Sequence, residues 1–199
     1  SYPNPFGLER WLLRLAEDPD AEREARVKAA EGARKMIDLL FEHGVDTVFL
    51  EADYASSTGP MMSPQTFRRA ILPGMKILCS HVKRHGAFVI FHSCGVNRPL
   101  LDMFIEAGVD CYQSIQPEED IVGLKRDFGD RLALWGGINI DMLIRGTPEQ
   151  VKKEVREIIL GCKKGGGFIL GASHSLMKGT RAENYLAALE ALREVGWYN

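Results

Sequence analysis

The chain has 199 residues, of which 45% are hydrophobic and 26% are charged, a composition typical of a globular protein. Its formal net charge of −2 excludes a broad basic surface, so we expect neither nucleic acid nor a membrane as a partner. No apolar run approaches the roughly 20 residues that a membrane span needs. The four cysteines are too scattered for a disulfide-stapled fold, and we therefore expect reduced thiols and a cytoplasmic protein.

Helix-like and strand-like segments alternate along the chain. Apolar residues at helical spacing predict a first helix over 27–42. Ser63 and Pro64 are typical N-cap and first-turn residues, and they predict a helix that runs toward Arg84 and is bent or broken at Pro73. Further helices are predicted over 98–107, 118–127, 147–162 and 182–195. Apolar runs predict five strands, at 46–51, 86–91, 109–115, 131–137 and 166–171.

This alternation indicates an α/β fold. Short, continuously apolar strands separated by helices are typical of a parallel sheet with right-handed crossovers. A complete eightfold barrel takes about 250 residues. The sequence therefore predicts a single domain, 1–199, that forms the last five strand–helix units of a (βα)8 TIM-type barrel, with the N-terminal strands absent. An open, doubly wound sheet is the competing architecture.

Polar side chains follow every predicted strand. They are Glu51 and Asp53 after the first, His92 and Cys94 after the second, Gln113, Ser114 and Gln116 after the third, Asn139 and Asp141 after the fourth, and Ser173 and His174 after the fifth. In both architectures ligands bind at the carboxyl ends of the parallel strands, so this pattern predicts one functional site. For Gln113, Ser114 and Asn139, a purely structural role at the strand ends fits the sequence equally well.

His92 and Cys94 are the side chains with the most specific chemistry. Imidazole nitrogen and thiolate sulfur are preferred ligands of zinc, and a catalytic zinc keeps three protein ligands and one open position. Two ligands do not hold a metal, and His174 is the expected third, with Glu51 and Asp53 as alternatives. A Cys94 nucleophile with His92 as its base, or a redox-sensing thiol, are weaker alternatives.

At this point the sequence resembles the uroporphyrinogen decarboxylase superfamily over essentially its whole length. The segments that carry the resemblance are "GPMMSPQTFRRAILPGMKIL" (59–78), "FHSCG" (91–95), "GVDCYQSIQP" (108–117), "WGGINIDMLIRGTPEQVKKEV" (135–155) and "GGGFILGASHSL" (165–176). The resemblance implies a (βα)8 barrel of which this chain covers the C-terminal part.

The superfamily contains two chemistries, and the His-x-Cys motif distinguishes them. The decarboxylases act on a tetrapyrrole without a metal, whereas the zinc methyltransferases move a methyl group from a methylated corrinoid protein to a thiol such as coenzyme M, or to tetrahydrofolate. His92 and Cys94 match the first two zinc ligands of the methyltransferases. His174 stands where those enzymes have a third cysteine, and histidine there is typical of the decarboxylases.

The resemblance implies a zinc methyltransferase with one Zn2+ per chain, a corrinoid protein as partner and a small-molecule methyl acceptor. We expect His92, Cys94 and His174 to hold the metal. Glu51, Asp53 and His174 are the expected catalytic groups, and the expected substrate-binding residues are Gln113, Ser114, Asn139 and Asp141.

Two alternatives stay open. One is a metal-free decarboxylase acting on a porphyrinogen, whose carboxylates would need the cations near the strand ends, namely Arg98, Arg145, Lys178 and Arg181. The other is a non-catalytic fragment that binds a corrinoid or porphyrin, or packs against other subunits. An incomplete barrel leaves an open sheet edge, so we expect either a homo-oligomer or dependence on a second polypeptide that supplies the missing half.

Overall fold

A computed structural model describes residues 5–198 of the chain. Its centre is a parallel sheet of five strands in the order β1–β4–β5–β6–β7. These strands are β1 (Thr47–Glu51), β4 (Phe88–His92), β5 (Cys111–Ile115), β6 (Ala133–Ile138) and β7 (Phe168–Ala172). All five predicted strands are therefore present and adjacent in chain order. The predicted α/β fold, the last five units of a TIM-type barrel, is confirmed.

Helices connect the strands and cover one face of the sheet. They are α1 (Pro5–Glu17), α2 (Pro19–Glu42), α3 (Pro64–Thr66), α4 (Leu72–Arg84), α5 (Leu101–Ala107), α6 (Ile121–Phe128), α7 (Ile140–Arg145), α8 (Pro148–Cys162) and α9 (Ala182–Val195). The capping box predicted at Thr147 is confirmed, because its side chain and that of Gln150 each bond the other's backbone N–H. None of the helices within 5–198 is both long and apolar enough to cross a membrane.

Several elements differ from their prediction. Two helices precede β1 rather than one, and a short α7 follows β6. A hairpin of β2 (Ala55–Ser56) and β3 (Gly59–Pro60) follows β1. The predicted break near Pro73 is instead a π-helical turn, Phe67–Ile71, between α3 and α4. Pro73 lies in the first turn of α4, directly after the π-helical turn, so the irregular turn stands where proline withholds a backbone donor.

The two faces of the sheet differ in their surroundings. Alternate side chains such as Val89, Phe91 and Leu134 are buried against the helices in the hydrophobic core. The opposite face carries a row of residues in register, formed by Glu51, His92, Gln113, Trp135 and Ile169. Large apolar side chains on this second face are exposed, with Ile169 at 44%. The row therefore places His92 on the open face, at the carboxyl end of β4.

Candidate functional site

Three side chains from two loops converge at the carboxyl edge of the sheet. Asp53 follows β1, His92 ends β4, and Cys94 lies two residues further on. One ligand atom from each lies within 4.8 Å of the other two. His92 Nε2 is 3.4 Å from Cys94 Sγ and 3.8 Å from Asp53 Oδ1. Nitrogen, sulfur and carboxylate oxygen donors therefore face one point. The sequence predicts His92 and Cys94 as metal ligands, with Asp53 as an alternative third ligand.

A neighbouring strand fixes the imidazole of His92. Its Nδ1 contacts Oε1 of Gln113, the residue opposite it on β5. An amide oxygen only accepts hydrogen bonds, so Nδ1 carries the ring proton and donates it. The lone pair of Nε2 is then free to face Asp53 and Cys94. Metal-binding histidines are oriented in this way, with the second nitrogen bonded to an acceptor.

The loop that carries Cys94 is held by backbone contacts. The N–H of Cys94 donates to Asp53 Oδ1 at 2.7 Å. Gly95 has φ +83°, and a Cβ at this position would lie 2.6 Å from the backbone of Ala55. Side chains adopt this conformation only at a cost, and no Cβ fits into this close approach to the hairpin, so glycine is required here. The hairpin therefore packs directly on the loop that contains Gly95, and this contact holds Cys94 beside His92.

A network of buried polar side chains, Asn97, Tyr112 and Glu119, holds the Cys94 loop by hydrogen bonds. The side-chain nitrogen of Asn97 lies 3.0–3.1 Å from the carbonyl oxygens of Ser93, Cys94 and Gly95, which share its two N–H donors. The backbone N–H of Asn97 donates to Glu119 Oε1. Oε2 of Glu119 lies 2.5 Å from the hydroxyl of Tyr112. Burial raises the pKa of the Glu119 carboxyl to about 7, although hydrogen bonds from Tyr112 and the Asn97 backbone lower it.

The thiol of Cys94 is protonated at neutral pH without a metal. Burial and the negative charge of Asp53 raise the pKa of this thiol to about 11, although its contact with the Ser114 hydroxyl lowers the pKa. A thiol with so high a pKa is a poor nucleophile, because the thiolate is the reactive form. This weakens the alternatives of a catalytic or redox-sensing cysteine.

His174 lies outside this group. Among residues 5–198 it belongs to neither of the two clusters of potential metal ligands, and it is exposed. Its neighbour Ser173 is buried and fixed, since its N–H donates to Ile138 and its carbonyl accepts from the Ser114 hydroxyl. The chain bends directly after β7, and Asp53 rather than His174 is the third residue whose ligand atom lies beside those of His92 and Cys94.

The other predicted site residues have local roles. Asn139 is the N-cap of α7 and accepts from the backbone N–H of Asp141 at 2.9 Å. Asp141 is exposed and forms an ion pair with Arg145. Glu51 is an exposed neighbour of His92 in the register of β1 and β4. Gln116 accepts a hydrogen bond from the N–H of Gly95, so it too supports the loop.

Three residues of the supporting network were not predicted, namely Asn97, Tyr112 and Glu119. Glu119 lies in the acidic stretch "QPEED", which is typical of a solvated surface, yet it is only 3% exposed. Asn97 follows the Cys94–Gly95 turn closely, and an amide at such a turn is a signal for backbone hydrogen bonds. That signal was available for Asn97 but not for the distant Glu119.

Comparison with known proteins identifies the family. The model of the uroporphyrinogen decarboxylase (URO-D) family matches residues 6–195. A methylated-thiol–coenzyme M methyltransferase from Methanosarcina mazei is 30% identical over 156 residues, which are 76% of this chain and 39% of that protein. A uroporphyrinogen decarboxylase from Shewanella loihica is 23% identical, covering 96% of this chain and 57% of that protein. The chain thus spans well under two thirds of these relatives.

A solved structure gives the same assignment of fold. A methyltransferase from Methanosarcina mazei superposes with a TM-score of 0.75 at 22% identity, over 96% of this chain and 54% of that one. The parallel sheet, the connecting helices and the match to the family over nearly the whole chain agree. The chain belongs to the uroporphyrinogen decarboxylase family.

Proposed function

We propose that the chain is the metal-binding part of a zinc-dependent methyltransferase. It would move a methyl group from a methylated corrinoid protein to a thiol or tetrahydrofolate acceptor. The observation that carries the proposal is the convergence of Asp53, His92 and Cys94 donor atoms within 4.8 Å. Similarity to the coenzyme M methyltransferase of Methanosarcina mazei supports the same chemistry.

The donor set fits zinc. Bonds of about 2.0–2.3 Å at tetrahedral angles separate zinc ligands by roughly 3.3–3.7 Å. The His92 Nε2 to Cys94 Sγ distance of 3.4 Å lies in this range, and the 3.8 Å to Asp53 Oδ1 is close to it. A mixed nitrogen, sulfur and oxygen set also suits zinc better than magnesium or calcium, which prefer oxygen alone. We therefore propose His92, Cys94 and Asp53 as the ligands.

Bound zinc would supply a Lewis acid that favours the deprotonated form of an acceptor thiol. The protein's own residues would hold the ligand side chains in position. Gln113 holds the imidazole of His92, and Gly95 keeps Cys94 in reach. With Asp53 proposed as a ligand, Glu51, exposed beside His92, would take the acceptor's proton.

The methyl transfer itself balances without an oxidant or reductant. The cobalt–carbon bond of the donor would break with both electrons staying on the corrinoid. A sulfur–carbon bond to a thiol acceptor, or a nitrogen–carbon bond to tetrahydrofolate, would form as the acceptor's proton leaves. The corrinoid would be presented at the carboxyl edge of the sheet, because His92 and Cys94 lie there. The open face itself is the side that would line the interior of a complete barrel.

Decarboxylation of a porphyrinogen is the second candidate, because uroporphyrinogen decarboxylases are similar over most of the chain. Such a substrate carries several carboxylates and needs free cations. Three of the four candidate cations instead form ion pairs, Arg98 with Asp127, Arg145 with Asp141 and Arg181 with Glu183. This pairing favours the methyltransferase.

The test is an assay with methylcobalamin as donor and coenzyme M or tetrahydrofolate as acceptor. We expect demethylation that depends on an acceptor and is lost at least a hundredfold in Cys94→Ser. Cys111→Ala, which removes another buried thiol, should keep the activity. Equal rates in the wild type and Cys94→Ser would contradict the proposal, and consumption of uroporphyrinogen by the wild type would favour the decarboxylase.

A further inference from the structure

A second cluster of metal-binding side chains lies far from the Cys94 loop. Asp38 on α2 meets His81 on α4 and His85, the residue that caps α4. Nε2 of His81 is 2.6 Å and Nε2 of His85 is 2.8 Å from the same oxygen of Asp38. The ligand atoms of all three lie within 4.8 Å of one another.

The spacing of His81 and His85 at α4 allows both side chains to bind the same ion. Residues four apart lie on the same face of a helix, one turn above the other. The rings of His81 and His85 are 5.4 Å apart, and both present Nε2 to α2. His85 is further fixed by stacking on Phe41 at 4.3 Å. The two imidazole rings are thus held in place before any ligand binds.

The cluster is also accessible to solvent. The side chain of His81 is 9% exposed and that of His85 is 32% exposed, while Asp38 is 44% exposed. An ion can therefore enter from the side of Asp38 and bind the two imidazole nitrogens. Water would complete its coordination. Because Asp38 is half-exposed, it can also shift outward and exchange its two hydrogen bonds for a metal bond.

We propose that Asp38, His81 and His85 form a second binding site, for a divalent transition metal of the zinc, nickel or copper class. Two imidazole nitrogens and one carboxylate are ligands that these metals share. The site lies near the start of β4 and His92 lies at its end, so the length of the five-residue strand, roughly 13 Å, lies between them. The proposal does not depend on the methyltransferase function.

Arg84 favours the tautomer of His81 that cannot bind a metal through Nε2, so its replacement should strengthen metal binding. Its guanidinium contacts Nδ1 of His81. Arginine only donates, so Nδ1 accepts and the ring proton stays on Nε2, the nitrogen that a metal needs. Metal binding must therefore move the proton to Nδ1 and displace Arg84, which is exposed. Replacing Arg84 with glutamine removes the opposing donor and provides an oxygen acceptor for Nδ1.

The experiment is a titration of untagged, metal-free protein with Co2+, followed by absorption spectroscopy and by direct metal analysis. Only the Cys94 group can give a sulfur-to-cobalt charge-transfer band, so the two centres are distinguishable. We expect two equivalents in the wild type. Cys94→Ser should bind one equivalent without that band, whereas His85→Gln and Asp38→Asn should each bind one equivalent with it.

Two further variants complete the design. His43→Gln changes an exposed histidine at the end of α2 that belongs to neither cluster, and it should bind two equivalents. Arg84→Gln should tighten the second equivalent about tenfold, the effect typical of groups that support a ligand. Cobalt uptake unchanged in both His85→Gln and Asp38→Asn, or no uptake beyond the equivalent that gives the band, would overturn the proposal. A wild type that binds one equivalent without the band would support it and contradict zinc at Cys94.

Discussion

Asp53 accepts a hydrogen bond from the backbone N–H of Cys94 at 2.7 Å, so the loop after β1 fixes the loop after β4. The same carboxylate lies 3.8 Å from His92 Nε2. Asp53 therefore has two roles, as a support for the cysteine and as a potential metal ligand. Neighbouring parallel strands create this relationship, because their carboxyl ends meet at one edge of the sheet.

The identity of the third ligand is directly testable. If Asp53 is the ligand, Asp53→Asn should weaken zinc binding at least tenfold, because the amide oxygen carries no charge, while His174→Gln should leave it unchanged. Equilibrium dialysis with zinc measures the difference, with both variants made in the His85→Gln background so that the second cluster does not contribute. Weakened binding in His174→Gln alone would favour the ligand set expected from the sequence.

Gln113 should strengthen zinc binding, because it orients the imidazole of His92. Gln113→Leu removes the acceptor of the Nδ1 proton, and we expect zinc affinity to fall about 10- to 100-fold. Gln113→Glu keeps an acceptor of the same shape and should retain the affinity or increase it. Competition with a coloured chelator measures the zinc affinity of all three proteins, each carrying His85→Gln so that only the His92 site is titrated. Similar affinities in Gln113→Leu and the wild type would show that the contact does not orient the ring.

Gly95 and Gly44 form a matched pair for testing the close approach of the hairpin. Both have positive φ, +83° and +82°, but a Cβ at Gly95 would clash with backbone at 2.6 Å, whereas none lies within 4 Å at Gly44. Gly44→Ala should therefore cost about 1 kcal/mol of unfolding free energy, from backbone conformation alone. Gly95→Ala should cost about 3 kcal/mol or more. Urea denaturation measures both, and equal losses would show that the hairpin yields.

Glu119 should make stability depend on pH. Its folded pKa of about 7 lies above its ordinary value of 4.5, so its contribution is complete below 4.5 and is lost as the pH rises through 7. The slope between these values reaches at most about 1.4 kcal/mol per pH unit. Glu119→Gln should remove this slope, whereas Glu118→Gln, at an exposed neighbour, should keep it. Denaturation from pH 5 to 8 tests this, and parallel curves for Glu119→Gln and the wild type would contradict it.

Most of the fold was predictable because it depends on local patterns. Apolar runs and helical spacing give the five strands and α9, whose bounds Ala182–Val195 coincide with the prediction. The hairpin after β1 was missed because its strands have two residues each, too few to show alternation. Helix α7 was missed for a similar reason, since six residues show little more than one turn and a half.

The site was predictable only in part. His92 and Cys94 are two residues apart, and their strand end alone indicated that they meet. Asp53 and His174 both follow strands, and the choice between them depends on how each loop leaves the sheet. Ser173 is anchored by Ile138 and Ser114, contacts between residues far apart in the chain. Such long-range contacts decide where His174 lies, and no local pattern encodes them.

The most direct test of the central claim is the zinc content of the purified protein and its Cys94→Ser variant. Because the second cluster can also bind zinc, both proteins should carry His85→Gln. We predict about one zinc per chain in His85→Gln and none in the double variant, with Cys111→Ala as the control that keeps it. Equal zinc in the presence and absence of the Cys94 thiol, or no zinc in either protein, would contradict a metal centre at His92 and Cys94.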